Sequence, residues 1–446
     1  MQIAVHGGRR AEGEVVLQGS KNAALPMLAA SILTSDEMIF RHCPDISDVR
    51  VMAELLENLG LQTTWEDSVF RVQADVLKHS AILQKEAGRV RASILFLGSL
   101  LARTGEAKVH MPGGCSIGRR PIDIHIKALE QSGVKVEDKG EWLVCRRERV
   151  PKTVKIRFSY PSVGATENLL LFHASGNSDV VLENTAREPE ICSLCEMLRD
   201  MGAKINGETT GTIHICGAGK LHGTEVTIPG DRIVFMTYAA MALGTQGKIR
   251  IRTEKESFLP ERKELEKSGC FFAQDAEGVL AEGNQGIHPI PYLKTAPYPG
   301  FPTDAQSLFL TLLSRAHGES ILCETVFENR FQMIPYLKKM GADIDTVAKC
   351  AYINGVTKLH GETVQATDLR SGAAILLAGA MAEGETIVQQ AENILRGYEN
   401  PIQNMRNIGL CVEEQYEREK RKTLEINYSG DHSSPGASYR SSISCQ

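Results

Sequence analysis

The chain has 446 residues, too many for one ordinary hydrophobic core and enough for two domains of roughly 200 residues each. Its 42 % hydrophobic and 24 % charged content is that of a globular protein, and glycine, at 40 residues, is the one excess. A formal net charge of −5 gives no global field for nucleic acid or an acidic membrane, so an anionic ligand must be met by locally placed Lys and Arg.

Residues 1–14 reach Arg9 and Arg10 before any apolar signal-peptide core forms, and no window approaches about 20 apolar residues. A cytoplasmic location is therefore expected, with no membrane and no nucleic acid as partner. The eleven cysteines, odd in number and scattered, read as reduced cytosolic thiols. Cys192 and Cys195 form a CxxC on one face of a helical run and read as packing residues.

From the N-terminus onward, one phrase opens a helix six times. The openings are Gly19-Ser20-Lys21-Asn22, Arg89-Val90-Arg91-Ala92, Ser162-Val163-Gly164-Ala165, Pro229-Gly230-Asp231-Arg232, Pro302-Thr303-Asp304-Ala305 and Thr367-Asp368-Leu369-Arg370. The helices that follow, over 23–33, 94–101, 308–313 and 373–382 for example, are apolar nearly all round, a pattern that predicts burial rather than a surface position. A second phrase ends a helix in glycine, at Gly60, Gly133, Gly202, Gly269, Gly341 and Gly409, at intervals of about 70 residues. Glycine suits the left-handed position just past a helix end, where other side chains meet a Cβ penalty. The unit reads strand, helix, strand, helix, strand, strand, giving an α/β protein with helices inside and sheets outside. Three units make each domain, with the boundary expected near residues 219–229. The tail over 418–446 is charged, then Ser/Gly-rich, and is expected to be disordered.

Equivalent openings converge, so their polar residues should share one cleft. Lys21, Arg91, Arg232 and Arg370 bring four cations, Asp304 a carboxylate, and Ser162, Val163 and Gly164 free backbone N–H groups at a helix start. Such a set fits phosphate or carboxylate anions. The second unit also holds Pro112-Gly113-Gly114-Cys115-Ser116-Ile117-Gly118-Arg119-Arg120-Pro121, a glycine-rich, exposed loop whose arginines favour a reactive thiolate. No GxSxG elbow, no HExxH and no paired Cys/His zinc spacing occurs, and Gly217-Ala218-Gly219-Lys220 falls short of a phosphate loop.

The first opening with Ala23-Ala24-Leu25-Pro26, the Cys115 loop, Ser162 to Thr166, Ala186-Arg187-Glu188-Pro189-Glu190-Ile191, Phe301 to Asp304, Glu328-Asn329-Arg330-Phe331 and Arg396-Gly397-Tyr398-Glu399 together resemble the UDP-N-acetylglucosamine 1-carboxyvinyltransferases. The resemblance runs from Met1 to about Glu417 and implies a two-domain inside-out α/β barrel, the enolpyruvyl transferase fold, built from six βαβαββ units. The expected domains are 20–228 and 1–19 plus 229–417, with the first strand of the chain joining the second domain. The implied reaction moves the enolpyruvyl group of phosphoenolpyruvate to the 3′-hydroxyl of UDP-N-acetylglucosamine, releasing phosphate, the first committed step of peptidoglycan synthesis and the target of fosfomycin. No metal or organic cofactor is implied.

By the same resemblance, Cys115 is the acid that protonates the methylene carbon and Asp304 accepts the sugar hydroxyl proton. Lys21, Arg120 and Arg396 clamp phosphate, with Arg370 and Arg396 near the carboxylate. Asn22, Arg91, Arg120, Pro121, Ile122, Asp123, Ile124, Ser162, Val163, Gly164 and Val326 contact the nucleotide sugar. The chain departs from the family pattern at Val234 and Leu395, where acidic residues are usual, and at Lys294, where Arg is usual. Those two losses remove an acid that the family usually places near Arg232 and near Arg396. A catalytically weak or silent paralogue that binds the nucleotide sugar as a regulatory module is the alternative. The sister reaction on 3-phosphoshikimate fits less well, because that family reads GSKS at the first opening and lacks the cysteine loop. An RNA-end-processing protein would want a basic surface.

Overall fold

The computed structural model describes residues 1–73, 77–82, 85–88, 90–111, 117–118, 121–217, 219–253 and 258–415. Cys115, Arg120 and the tail expected to be disordered lie outside the described residues.

Among the described residues, six four-stranded sheets alternate with the helices. Each repeats one design: an edge strand runs parallel to its neighbour, and two antiparallel strands complete the sheet. In the third unit Thr153–Arg157 pairs in parallel with Asp179–Glu183, which pairs antiparallel with Thr212–Cys216, and Lys204–Asn206 closes the far edge. A parallel pair needs a crossover, and here the crossover is the buried helix Val163–His173. The chain's first strand, Gln2–His6, lies between Glu385–Gln389 and Cys411–Gln415, so the N-terminus completes the sixth unit.

The six opening phrases all start helices: Lys21–Ala30, Val163–His173, Arg232–Gly244 and Leu369–Met381 directly, and Phe96–Thr104 and Gln306–Leu313 after a short 3₁₀ turn. Their cap residues satisfy first-turn N–H groups that helical bonding leaves orphaned. Ser20 accepts from Ala23, Ser162 from Ala165, Asp231 from Ile233 and Val234, and Asp368 from Arg370 and Ser371. Every residue from Leu369 to Met381 is buried, as is every residue from Arg232 to Leu243, which the all-round apolar pattern required. The six stop glycines have φ between 80° at Gly409 and 106° at Gly202, the conformation that excludes a Cβ.

Buried apolar residues form two clusters. One runs from Ala23 to Ile228; the other takes Ile3 to Leu17 and Ile233 to Val412. The two chain passages between these lobes run side by side: Gly19 bridges Gly230, Ser20 N–H donates to the Pro229 carbonyl (2.7 Å) and Asp231 N–H to that of Gln18 (2.9 Å). The pairing brings the first and fourth helix starts together.

The reading of the cysteines as thiols fails at one pair. Cys323 and Cys350 stand directly opposite on antiparallel strands with Cα atoms 4.0 Å apart, and they are joined in a disulfide. Sequence spacing carries no register, so the pairing was invisible before the sheet was known. Cys192 and Cys195 lie with free thiols on Pro189–Asp200.

Tight helix contact is the cost of this packing. Gly98 lets the helix Phe96–Thr104 press on Val163–His173: its N–H donates to Asn168 Oδ1 (2.8 Å), and a Cβ there would lie 2.3 Å from the Asn168 carbonyl oxygen. Gly98→Ala should therefore destabilise the first lobe by about 1–3 kcal/mol through overpacking. Thermal unfolding followed by far-UV circular dichroism should show a drop of several degrees; an unchanged midpoint would refute the contact.

Candidate active site

Four of the six helix starts meet in one charged cluster between the lobes. Asp231 caps two helices at once. Its Oδ1 accepts from Ile233 and Val234, and its Oδ2 accepts from Lys21 N–H (3.0 Å), the first residue of the opposite helix. Asn22, next along, donates from Nδ2 to Asp304 Oδ2 (3.4 Å) across the cleft.

Asp304 is the negative centre of this cluster. Arg330 reaches its Oδ1 at 2.7 Å and Arg370 its Oδ2 at 3.0 Å, both from guanidinium NH2 groups. Burial alone would raise its pKa; Arg370, then Arg330, Arg232 and Lys21 reverse that and hold the carboxyl far below the ordinary range. Its side chain nevertheless keeps 25 % of its surface, against 3 % for Arg330 and 6 % for Arg370, so Asp304 is the more exposed member of the group. Arg370 is buried on the helix whose cap, Asp368, also lies 3.7 Å from Arg330.

Lys21 and Arg396 share a second carboxylate. Lys21 Nζ is 2.7 Å from Asp48 Oδ2, and Arg396 donates to Asp48 from Nε (3.0 Å) and NH2 (3.4 Å). Burial lowers the Lys21 pKa, with Arg370 and Arg396 adding to the effect and Asp48 opposing it. Burial pushes Asp48 upward, and Lys21 and Arg396 overcome it. Arg396, expected to want its usual acidic sequence neighbour, instead takes this partner from the other lobe.

Arg232 does the same. Its Nε donates to Glu190 of the first lobe (2.9 Å) and its NH1 to Glu261 of the second (3.2 Å), with all three side chains under 10 % exposed. The loss of an acid at Val234 therefore leaves no bare guanidinium. Removing one member of such a buried set costs about 3–5 kcal/mol, since the remaining charge is stranded.

The second and third openings pair with each other. Asn168 donates to the Ile94 carbonyl (3.0 Å), and its amide meets His125 Nδ1 (2.9 Å), whose ring lies against Gly164. Any Cβ on Gly164 would sit 3.1 Å from that ring. Arg91 begins the turn Arg91–Leu95, which packs on the helix Lys21–Ala30 and so joins this pair to the charged cluster. Pro121 is exposed, Ile122 is buried at the cap of Asp123–Gln131, Asp123 pairs with Lys127 (3.7 Å), and Ile124 is half-buried on the same helix. Val326 N–H donates to Glu324 (2.7 Å). Of the cysteine loop, Ile117 is described: its carbonyl accepts from Asn329 N–H of the other lobe (3.1 Å). Among the described residues, no group of His, Cys, Asp or Glu is arranged to hold a metal ion.

Asp48, Glu190, Glu261, Glu324 and Arg330 were not singled out as site residues. Arg330 and Glu190 fall within motifs that carry the family resemblance; Asp48, Glu261 and Glu324 carry no local signal, because only the fold sets which partner each one meets.

Beneath this cluster, Glu167 is buried one turn into the third helix, and burial, then Glu190 and Glu188, push its carboxyl up to about 8. The folded state therefore holds a proton there that the unfolded chain releases near its ordinary value of about 4.3. Stability from this group is complete below that value and declines as pH rises towards 8, by at most about 1.4 kcal/mol per pH unit. Glu167→Gln should flatten that decline. Urea midpoints at several pH values from 5 to 8 test it; parallel slopes for both proteins would contradict the assignment.

Comparison with known proteins agrees with the geometry. Residues 5–405 match the family model described as EPSP synthase (3-phosphoshikimate 1-carboxyvinyltransferase). UDP-N-acetylglucosamine 1-carboxyvinyltransferase 2 of Caldanaerobacter subterraneus subsp. tengcongensis is 41 % identical over 412 residues, covering 92 % of this chain and 99 % of the relative. UDP-N-acetylglucosamine 1-carboxyvinyltransferase of Granulibacter bethesdensis is 39 % identical over 415 residues, with the same coverage. Among solved structures, the enolpyruvyl transferase NikO from Streptomyces tendae superposes with a TM-score of 0.83 at 24 % identity, covering 92 % of this chain and 98 % of that one. EPSP synthase from Acinetobacter baumannii gives 0.72 at 16 %, covering 93 % and 100 %, and both likenesses speak to the fold. Six inside-out α/β units, matched across nearly their whole length, place this chain in the EPSP synthase family of enolpyruvyl transferases, among the UDP-N-acetylglucosamine 1-carboxyvinyltransferases.

Proposed function

We propose that the protein transfers the enolpyruvyl group of phosphoenolpyruvate to the 3′-hydroxyl of UDP-N-acetylglucosamine, releasing phosphate, in peptidoglycan synthesis. The observation that carries this reading is the convergence of four cations on two carboxylates between the lobes, Arg330 and Arg370 on Asp304, and Lys21 and Arg396 on Asp48. Two anionic substrates bring more negative charge than one cation can balance, and a fixed array pre-pays the reorganisation that water would require.

In this reaction the 3′-oxygen bonds to C2 of phosphoenolpyruvate and gives its proton to Asp304, while Cys115 protonates C3. Loss of phosphate and of one C3 proton then restores the double bond. Lys21, Arg120 and Arg396 hold the phosphate, with Arg370 and Arg396 near the carboxylate. Asn22, Arg91, the 120–124 segment, Ser162 to Gly164 and Val326 hold the nucleotide sugar. Cys115 and Arg120 take their roles from the sequence match alone. The lobes act as two domains, 20–228 and 1–19 plus 229–417. The cleft between them closes on the substrates, with the Ile117–Asn329 hydrogen bond as one closing contact. The work is done in the cytoplasm on soluble substrates.

The paralogue without catalysis is the reading that the first experiment must beat. Purified protein should release phosphate from phosphoenolpyruvate only when UDP-N-acetylglucosamine is present. A phosphate-release assay at millimolar substrates checks this; nucleotide-sugar binding without release would establish the regulatory module instead.

A further inference from the structure

Glu324 is not itself assigned to substrate, yet two of the segments that bear assigned groups hang from its carboxylate. It follows directly on the strand Glu319–Cys323, is 2 % exposed, and its N–H donates to the Lys349 carbonyl (2.8 Å). The preceding residue is covalently joined to Cys350, so the strand end beneath Glu324 is fixed on both sides.

Four donors converge on the side chain. Oε1 accepts from Val326 N–H (2.7 Å), Phe327 N–H (3.0 Å) and the Thr295 hydroxyl (2.9 Å); Oε2 accepts from the Thr303 hydroxyl (2.8 Å). The Thr295 bond has a fixed direction. A carboxylate oxygen accepts, so the hydroxyl donates its one proton to Glu324, nearer than the Cys323 carbonyl at 3.5 Å, while its own oxygen accepts from Thr325 N–H (2.9 Å). The two oxygens thus do different work. Oε1 shapes the start of the 325–330 segment, which carries Val326 and ends at Arg330, and Oε2 holds Thr303, the residue before Asp304. Arg330 closes the circuit on Asp304 at 2.7 Å.

We propose that Glu324 is a positioning residue for the enolpyruvyl transfer: its carboxylate fixes the candidate base Asp304 and the nucleotide-sugar segment at Val326 in one register. The proposal rests on the transferase reading above. It makes the acceptor side of the cleft a single unit. The phosphate side, with Lys21 and Arg396 on Asp48, stands apart from Glu324.

Three variants separate the two arms. Glu324→Ala removes all four bonds and should lower kcat by about 30-fold and raise the nucleotide-sugar KM by about tenfold, with the phosphoenolpyruvate KM within about threefold of wild type. Thr303→Val cuts only the Oε2 arm, so kcat should fall by about tenfold with the nucleotide-sugar KM nearly unchanged. Glu324→Gln should restore the KM, because its carbonyl oxygen can keep the Oε1 bonds while its NH2 group donates to a reoriented Thr303 hydroxyl. Hydrogen exchange at the Val326 and Phe327 amides reads the same clamp without substrate. It should accelerate at least about tenfold in Glu324→Ala and stay slow in Glu324→Gln. Parallel rises in both KM values, kinetic parameters within twofold of wild type in Glu324→Ala, or unchanged exchange would each overturn the proposal. A wild-type protein without turnover would sink the transferase reading alone, and the exchange measurement would still decide the clamp.

Discussion

A guanidinium or ammonium taken out of water must find a carboxylate, and that requirement organises this cleft. The opening helices are apolar all round, so they can only be buried, and burial brings their starts together. The starts carry cations, which would repel one another at such range without fixed counter-charges. Asp304 serves Arg330 and Arg370, Asp48 serves Lys21 and Arg396, and Glu190 with Glu261 serves Arg232. In two of these sets the partners come from different lobes. Charge pairing therefore joins the halves across the cleft.

The division between what the sequence disclosed and what it concealed follows the range of each interaction. Helix starts and stops are local: Ser20, Ser162, Asp231 and Asp368 cap bonds two or three residues on, and Gly202 or Gly409 answers a backbone angle at its own position. A repeat of six such signals made the architecture legible. The pairing of charges is not local. Glu190 is 42 residues from Arg232, and Asp48 is 348 from Arg396. The departures at Val234 and Leu395 looked like lost partners because only sequence neighbours could be seen; the fold supplies replacements from afar. Glu324 shows the same limit, since its four donors identify it only when strands and loops are assembled. The Cys323–Cys350 bond likewise needed the register of two strands.

Asp304 sets the remaining chemical problem. A base must bind a proton, yet four cations hold this carboxyl far below the pH at which it would do so. The arrangement resolves this if the cations have other work during the reaction. Under the proposed function, Arg370 shares its charge with the carboxylate of phosphoenolpyruvate, which weakens its hold on Asp304 when the hydroxyl proton is taken. The Asp304 side chain keeps a quarter of its surface exposed, which leaves room for that hydroxyl to approach. Arg330, clamped to the same segment as Val326, keeps the group aimed meanwhile.

The central claim is that Asp304 is a reacting base rather than only a counter-ion, and Asp304→Asn tests it most directly. Asparagine keeps the shape and an acceptor oxygen but cannot take the proton. With nucleotide-sugar affinity measured by calorimetry and turnover by phosphate release, the account predicts a loss of about 10³-fold in kcat, with the dissociation constant within about tenfold of wild type. A variant that kept more than about a tenth of wild-type kcat would contradict it, and would leave Asp304 as a counter-ion for its arginines.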